Sequence, residues 1–114
     1  MMGIGAAVLD AQQLRDATLH DPTLMRQVLS MLLDDAPRQI ALLADAVRSG
    51  DRPRSLELAH FSKGACLMAG AQRVAAIFET IERCAAAGEL PNVPETLAAL
   101  SHEIDLLRAA AAAL

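Results

Sequence analysis

The chain has 114 residues, 54% of them hydrophobic, with ten Lys and Arg against fourteen Asp and Glu for a formal charge of −4. A chain of this size buries roughly 65% of the surface its unfolded form exposes, enough for one core without metal or disulfide staples, so residues 1–114 are expected to form a single domain. Two Phe, no Trp and no Tyr argue against an all-β fold, and the acidic balance argues against nucleic acid as a partner.

Proline and glycine divide the chain into helical runs. The first, about residues 10–19, places Leu14 and Ala17 or Thr18 on one side and is short enough to need docking on the rest. Asp21 reads as an N-cap with Pro22 at the first helical position. The long run that follows carries Leu24, Met25, Val28, Leu29, Leu32, Leu33, Ala36, Ile40, Leu43 and Val47 at helical spacing to near Ser49. Pro37 removes an internal hydrogen bond at a cost of about 3 kcal/mol, which predicts a kink or a break into two helices around residues 34–37.

A third helix is predicted from about Pro53 to Ala69 and a fourth from about Ala71 to Ala87, with Gly70 as the breaker of a tight antiparallel hairpin. The fourth presents Val74, Ile77, Phe78, Ile81 and Ala85 and stops at Gly88, the expected C′ residue. After Pro91, a last helix from about Pro94 to Ala113 has Leu97, Leu100, Ile104 and Leu107 as its stripe, Arg108 suiting its dipole, and a weakly anchored alanine tail. The expected fold is all-α, an antiparallel four-helix bundle with a short additional N-terminal helix.

The longest charge-free stretches, residues 1–9 and 64–72, fall well short of the about twenty needed to span a bilayer, so no membrane association is expected. MMGIGAAVLD lacks a basic n-region and a cleavage site, and a cytoplasmic address is expected. Cys66 and Cys84 have no metal-ligand spacing and read as packing residues.

On the third helix, His60, Lys63 and Gly64 are i, i+3 and i+4 and share a face, with Leu56 and Leu67 extending it. Leu58, Ser62, Ala65 and Ala69 lie opposite and suit the core, with Ala59, Phe61, Cys66 and Met68 at the flanks. A mid-helix Gly costs about 1 kcal/mol relative to Ala, and close approach of another surface to His60 would account for it; the leucines would rim that docking patch. With the hairpin turn near Ala71, residues eleven before and eleven after stand level, and these are His60 and Glu82. Each lies about 16 Å from the turn, so the carboxylate could hold the proton on one imidazole nitrogen and leave the other free as a nucleophile. Lys63 is then a cation in reach of an anion such as phosphoryl on that nitrogen. The same levelling leaves Cys84 about 12 Å too far along the axis to bridge Cys66.

Each feature has a plainer reading alone: an exposed His is ordinarily a polar surface residue, Lys63 a solvated charge, and Glu79 with Arg83 an i, i+4 surface pair. The conjunction of spacing, glycine and opposed glutamate favours the site. His20 and His102 lack such company and are read as structural.

The string AHFSKGACLMAGA, residues 59–71, resembles the signature of histidine-containing phosphotransfer (HPt) domains, A-H-x-x-K-G followed six residues later by G-A. The similarity extends to the proline-bearing leading helix with LLDDAP, to Ala46 and Gly50-Asp51, and to Ile81-Glu82 before Gly88. It implies that His60 is the phosphoacceptor, that Lys63 stabilises the phosphoryl group, that Gly64 opens space for a receiver domain and that Glu82 orients the imidazole. The chain departs from the family in having Ser62 two residues after the histidine, a position commonly apolar, with Phe61 before it. The resemblance also implies a phosphotransfer intermediate without its own ATP site, not an enzyme. By that resemblance it is expected to shuttle phosphoryl groups between aspartates of response-regulator receiver domains, alongside a hybrid sensor histidine kinase. No cofactor or metal of its own is expected, Mg²⁺ being supplied by the receiver. A monomer is expected, either a free-standing protein or a domain of a larger kinase. A non-phosphorylated helical adaptor using the same face, and a helical dimer in which the histidine is incidental, stand as alternatives.

Overall fold

The computed structural model describes residues 7–114, so the signal-peptide reading, which rests mainly on residues 1–6, lies outside the described residues. Its helices are α1 (Ala11–Ala17), α2 (Pro22–Arg48), α3 (Arg52–Met68), α4 (Gln72–Ala86) and α5 (Val93–Ala112), with a 3₁₀ turn at Leu90–Asn92. Three aspartates start the first three: Asp10 accepts from the backbone of Gln12 and Gln13, Asp21 from Thr23 and Leu24, and Asp51 from Arg54. Pro22 stands at the start of α2 as expected, and Gly88 ends α4 with φ of 76°.

The all-α bundle with its additional short helix is the architecture read from the sequence. α2, α3, α4 and α5 pack around Leu33, Leu43, Val74, Phe78, Ile81, Val93, Leu100 and Leu107. A second cluster forms where α1 lies over the end of the bundle, with Leu14 fully buried against Met25, Leu29 and Ala69. Thr18, the alternative α1 core position, is buried, and its hydroxyl donates to the Leu14 carbonyl at 2.7 Å.

Two local expectations change. Of the kink or break expected around residues 34–37, the break into two helices does not occur: α2 runs unbroken through Pro37. Buried Leu29 and Leu33 lie on one side of the proline and Leu43 and Ala46 on the other, all on the packed face, so tertiary burial outweighs the one lost hydrogen bond. Leu24, assigned to the apolar stripe, is 38% exposed because it belongs to the first turn of α2, off the packed face.

At the α3–α4 turn, Gly70 has φ of 80°, and a Cβ there would sit 2.3 Å from the carbonyl oxygen of Asp10. The Asp10 N–H donates to the Gly70 carbonyl at 2.7 Å, and Gln72 Nε2 donates to the Asp10 carboxylate at 2.9 Å. The segment before α1 is thereby clamped to the hairpin turn. Between α1 and α2 the chain turns through two consecutive left-handed residues, Leu19 (φ 55°) and His20 (φ 61°). The Leu19 side chain is 85% exposed, so its conformation is strained with no packing in return. Leu19→Gly is expected to stabilise the chain by about 1 kcal/mol, the relief of strain exceeding the entropy gained by the unfolded state; a lower urea midpoint for the variant would contradict this.

Candidate functional site

α3 and α4 form the closest-packed pair, with small residues at the contact: Ala59 and Cys66 on α3, Ala75 and Ala85 on α4, all buried. This packing rotates α3 toward Ala59 and Cys66. Ser55, Leu58, Ser62 and Ala69 are buried as well, while Ala65, expected in the core, is only half-buried. Phe61 and Met68, expected at the flanks, are 64% and 60% exposed. The serine where an apolar residue is common therefore faces inward, and the phenylalanine beside it faces out.

His60 projects to solvent with 70% of its side chain exposed, and its Nδ1 lies 2.6 Å from Oε2 of Glu82. The pairing across the hairpin is the one the level heights of residues 60 and 82 predict. The other carboxylate oxygen, Oε1, lies 2.6 Å from Nζ of Lys63. Glu82 thus bridges ring and ammonium, and both it and Lys63 are mostly covered, at 20% and 23% side-chain exposure. The carboxyl is held below its ordinary range chiefly by the Lys63 hydrogen bond, opposed by partial desolvation and aided by His60. An ionised carboxylate accepts and cannot donate, so the proton between it and the ring belongs to Nδ1. In the neutral ring the lone pair then belongs to Nε2, the nitrogen not engaged by Glu82.

The Lys63–Glu82 contact is the feature the sequence reading missed. Helix spacing offers Lys63 only as a cation near an anion on the ring, yet it stands one turn nearer the hairpin turn than His60 and its long stem reaches the same carboxylate. Because the folded carboxyl titrates below its unfolded value, this arrangement contributes stability that is fully present above the unfolded range and is lost as pH falls through the lowered folded value. An NMR titration of the Glu82 carboxyl should give a midpoint below the ordinary 4.5, and Lys63→Met should raise it. An unmoved midpoint would remove Lys63 as the dominant cause.

Gly64 lies exposed beside His60, and a Cβ built there meets no atom within 4 Å. The fold itself therefore does not require glycine at this position. Leu67 is 48% exposed, whereas Leu56 is half-buried and packs against the core, so only part of it reaches the surface. The expected Glu79–Arg83 pair is not formed among the described residues; Arg83 instead reaches Thr80 Oγ1 at 3.5 Å. His20 faces Asp16 at 3.6 Å and His102 is exposed, both apart from the Glu82 bridge.

Both cysteines are free thiols, and burial pushes the Cys66 thiol up to about 12. Among the described residues there is no group of three or more His, Cys, Asp or Glu placed to hold a metal ion, and no helix long and apolar enough to cross a membrane.

A family model described as Hpt domain matches residues 27–110. Among solved structures, the chain is similar to the crystal structure of histidine-containing phosphotransfer protein B from Pseudomonas aeruginosa PAO1. That match has a TM-score of 0.83 and 23% sequence identity, and covers 94% of this chain and 93% of that one; at this identity the likeness speaks for the fold alone. No curated protein matches.

Proposed function

The chain belongs to the Hpt domain family, the phosphotransfer modules of two-component signalling, and on that premise we propose that it relays a phosphoryl group between aspartates of response-regulator receiver domains through phospho-His60. The observation that supports this best is the exposed ring whose Nδ1 is taken up by Glu82 at 2.6 Å, leaving Nε2 as the accessible nucleophile. The Nε2 lone pair forms the N–P bond as the P–O bond to the receiver's aspartate breaks, and the aspartate leaves as a carboxylate. Nδ1 keeps its proton throughout, and the positive charge that develops on the phosphorylated ring is matched by Glu82. The step runs in reverse when a second receiver's aspartate attacks phosphorus.

In a loose phosphoryl-transfer transition state most of the work is positioning and charge compensation. Glu82 fixes the ring. Lys63 keeps Glu82 ionised and in place, and brings positive charge within a turn of the transferring group. Mg²⁺ comes from the receiver, as does the rest of the charge stabilisation. Gly64, Leu67 and the exposed part of Leu56 receive the partner's surface. We propose further that residues 1–114 act as one module and as a monomer, with a hybrid sensor histidine kinase upstream.

Incubation with a panel of phosphorylated receivers tests this reading. Transfer that leaves acid-labile, base-stable phosphate on the chain is expected from a cognate receiver. Binding of receivers with no transfer from any of them would instead favour a non-phosphorylated adaptor on the same face.

A further inference from the structure

Arg52 opens α3, whose first turn holds no acidic residue. A cation there is unfavourable to its own helix, because the N-terminal end carries partial positive charge. The side chain turns instead to the end of α4. Arg52 Nε donates to the Ala85 carbonyl at 2.7 Å, and Nη2 donates to the Ala86 carbonyl. Among the described residues no backbone N–H reaches the Ala86 carbonyl. The guanidinium thus satisfies an acceptor that α4 leaves open and meets the negative end of its dipole.

This tie falls one turn from the site, since Ala85 and Ala86 follow Glu82 by three and four residues on α4. The contact between α3 and α4 is lined by Ala59, Cys66, Ala75 and Ala85, small side chains whose shallow ridges give little resistance to one helix shifting on the other. At its closed end the hairpin is held by the Gly70 turn. Pivoting about that turn, a tilt of α4 by about 5° would carry Glu82, about 16 Å away, through about 1.4 Å. The 2.6 Å contact with Nδ1 would then open to about 4 Å, which is no longer a hydrogen bond. Lys63 can follow the carboxylate on its flexible stem, whereas the imidazole turns on two torsions only. The bond to His60 is therefore the one lost when the open end of the hairpin moves.

Resting on the relay reading, we infer that Arg52 is a positioning residue for phosphoryl transfer. By anchoring the end of α4 to the start of α3, it holds Glu82 where the carboxylate keeps the proton on Nδ1 and the ring in one orientation. Arg52 stands eight residues, about 12 Å, before His60 along α3, and its hydrogen bonds go to the two α4 carbonyls, not to the ring or to Glu82. It acts through the helix that carries the carboxylate, so its effect on transfer requires Glu82.

The test uses Arg52→Met, which keeps the stem and removes the donors, with phosphoramidate as a phosphodonor that needs no docking surface. Nitrogen NMR of the neutral His60 ring reads the tautomer directly: the unaltered protein should show the proton on Nδ1, and Arg52→Met a second population with the proton on Nε2. Labelling by phosphoramidate should slow about fivefold in Arg52→Met and recover to within about twofold in Arg52→Lys, whose ammonium reaches one of the two carbonyls. In a Glu82→Ala background Arg52→Met should cause no further slowing, because residues acting as one unit are not additive. Thr18→Val, which removes the hydroxyl bond to the Leu14 carbonyl under α1, controls for a general loss of stability and should label at the unaltered rate; thermal melts set the two variants side by side. Equal slowing by Arg52→Met with and without Glu82, or by Thr18→Val, would make the effect merely structural and overturn the proposal. Phosphohistidine in the unaltered protein with tautomer and rate unmoved in Arg52→Met would overturn the positioning role alone. No phosphohistidine in the unaltered protein from phosphoramidate or from any phosphorylated receiver would overturn the relay reading and the role of Arg52 in transfer with it.

Discussion

His60→Gln is expected to abolish acid-labile phosphate on the chain while leaving its fold unchanged. Glutamine is polar, similar in length and able to donate to Glu82 from its amide, but it has no basic nitrogen to attack phosphorus. The ring contributes little to packing, with 70% of its side chain exposed and Glu82 as its recorded hydrogen-bond partner, so the change in stability should stay within about 1 kcal/mol. The chemical signature is specific: an N–P bond is cleaved when acid protonates the nitrogen and survives base, whereas an acyl phosphate is labile to both. Radiolabel from a phosphorylated receiver, followed through acid and base treatment, separates the two. Retention of acid-labile label by the variant would move the acceptor to His20 or His102 and dismantle the site.

Gly64→Gln should separate docking from folding. The added side chain starts from a Cβ that meets nothing within 4 Å, and glutamine is the better helix former by up to about 1 kcal/mol, so the variant should melt at or slightly above the wild-type temperature. Transfer from a receiver should nevertheless fall by ten- to hundredfold, because forcing a side chain into a close-fitting contact typically costs about 1–3 kcal/mol. Labelling by a small phosphodonor, which has no surface to lay against α3, should be far less affected. Receiver transfer at the wild-type rate would mean that no partner closes over this position.

The pairing of His60 with Glu82 was legible because helix rise is constant and the hairpin turn is marked by Gly70, so two residues eleven steps from residue 71 have to stand level. The start of α2 was legible for a similarly local reason, Asp21 having a carboxylate that reaches the N–H groups of Thr23 and Leu24. What escaped depends on contacts between helices. The periodicity of α3 does not say that Ala59 and Cys66 will draw it toward α4, and so it places Phe61 and Met68 at the flanks, whereas the structure exposes both. Nor does helix geometry within one chain segment show Lys63 sharing a carboxylate with a residue on its own helix by way of another. Pro37 reads as a local fault, and only the packing of α2 on both sides of it explains an unbroken helix.

The bridge from Lys63 through Glu82 to the ring leaves a single outward nitrogen on a ring that is held in one orientation. Under the proposed relay, the molecule that delivers the group and the molecule that removes it must occupy the same doorway in turn. Ternary complexes are thereby excluded, turnover is ping-pong, and an abundant receiver of either kind acts as a competitive inhibitor of the other.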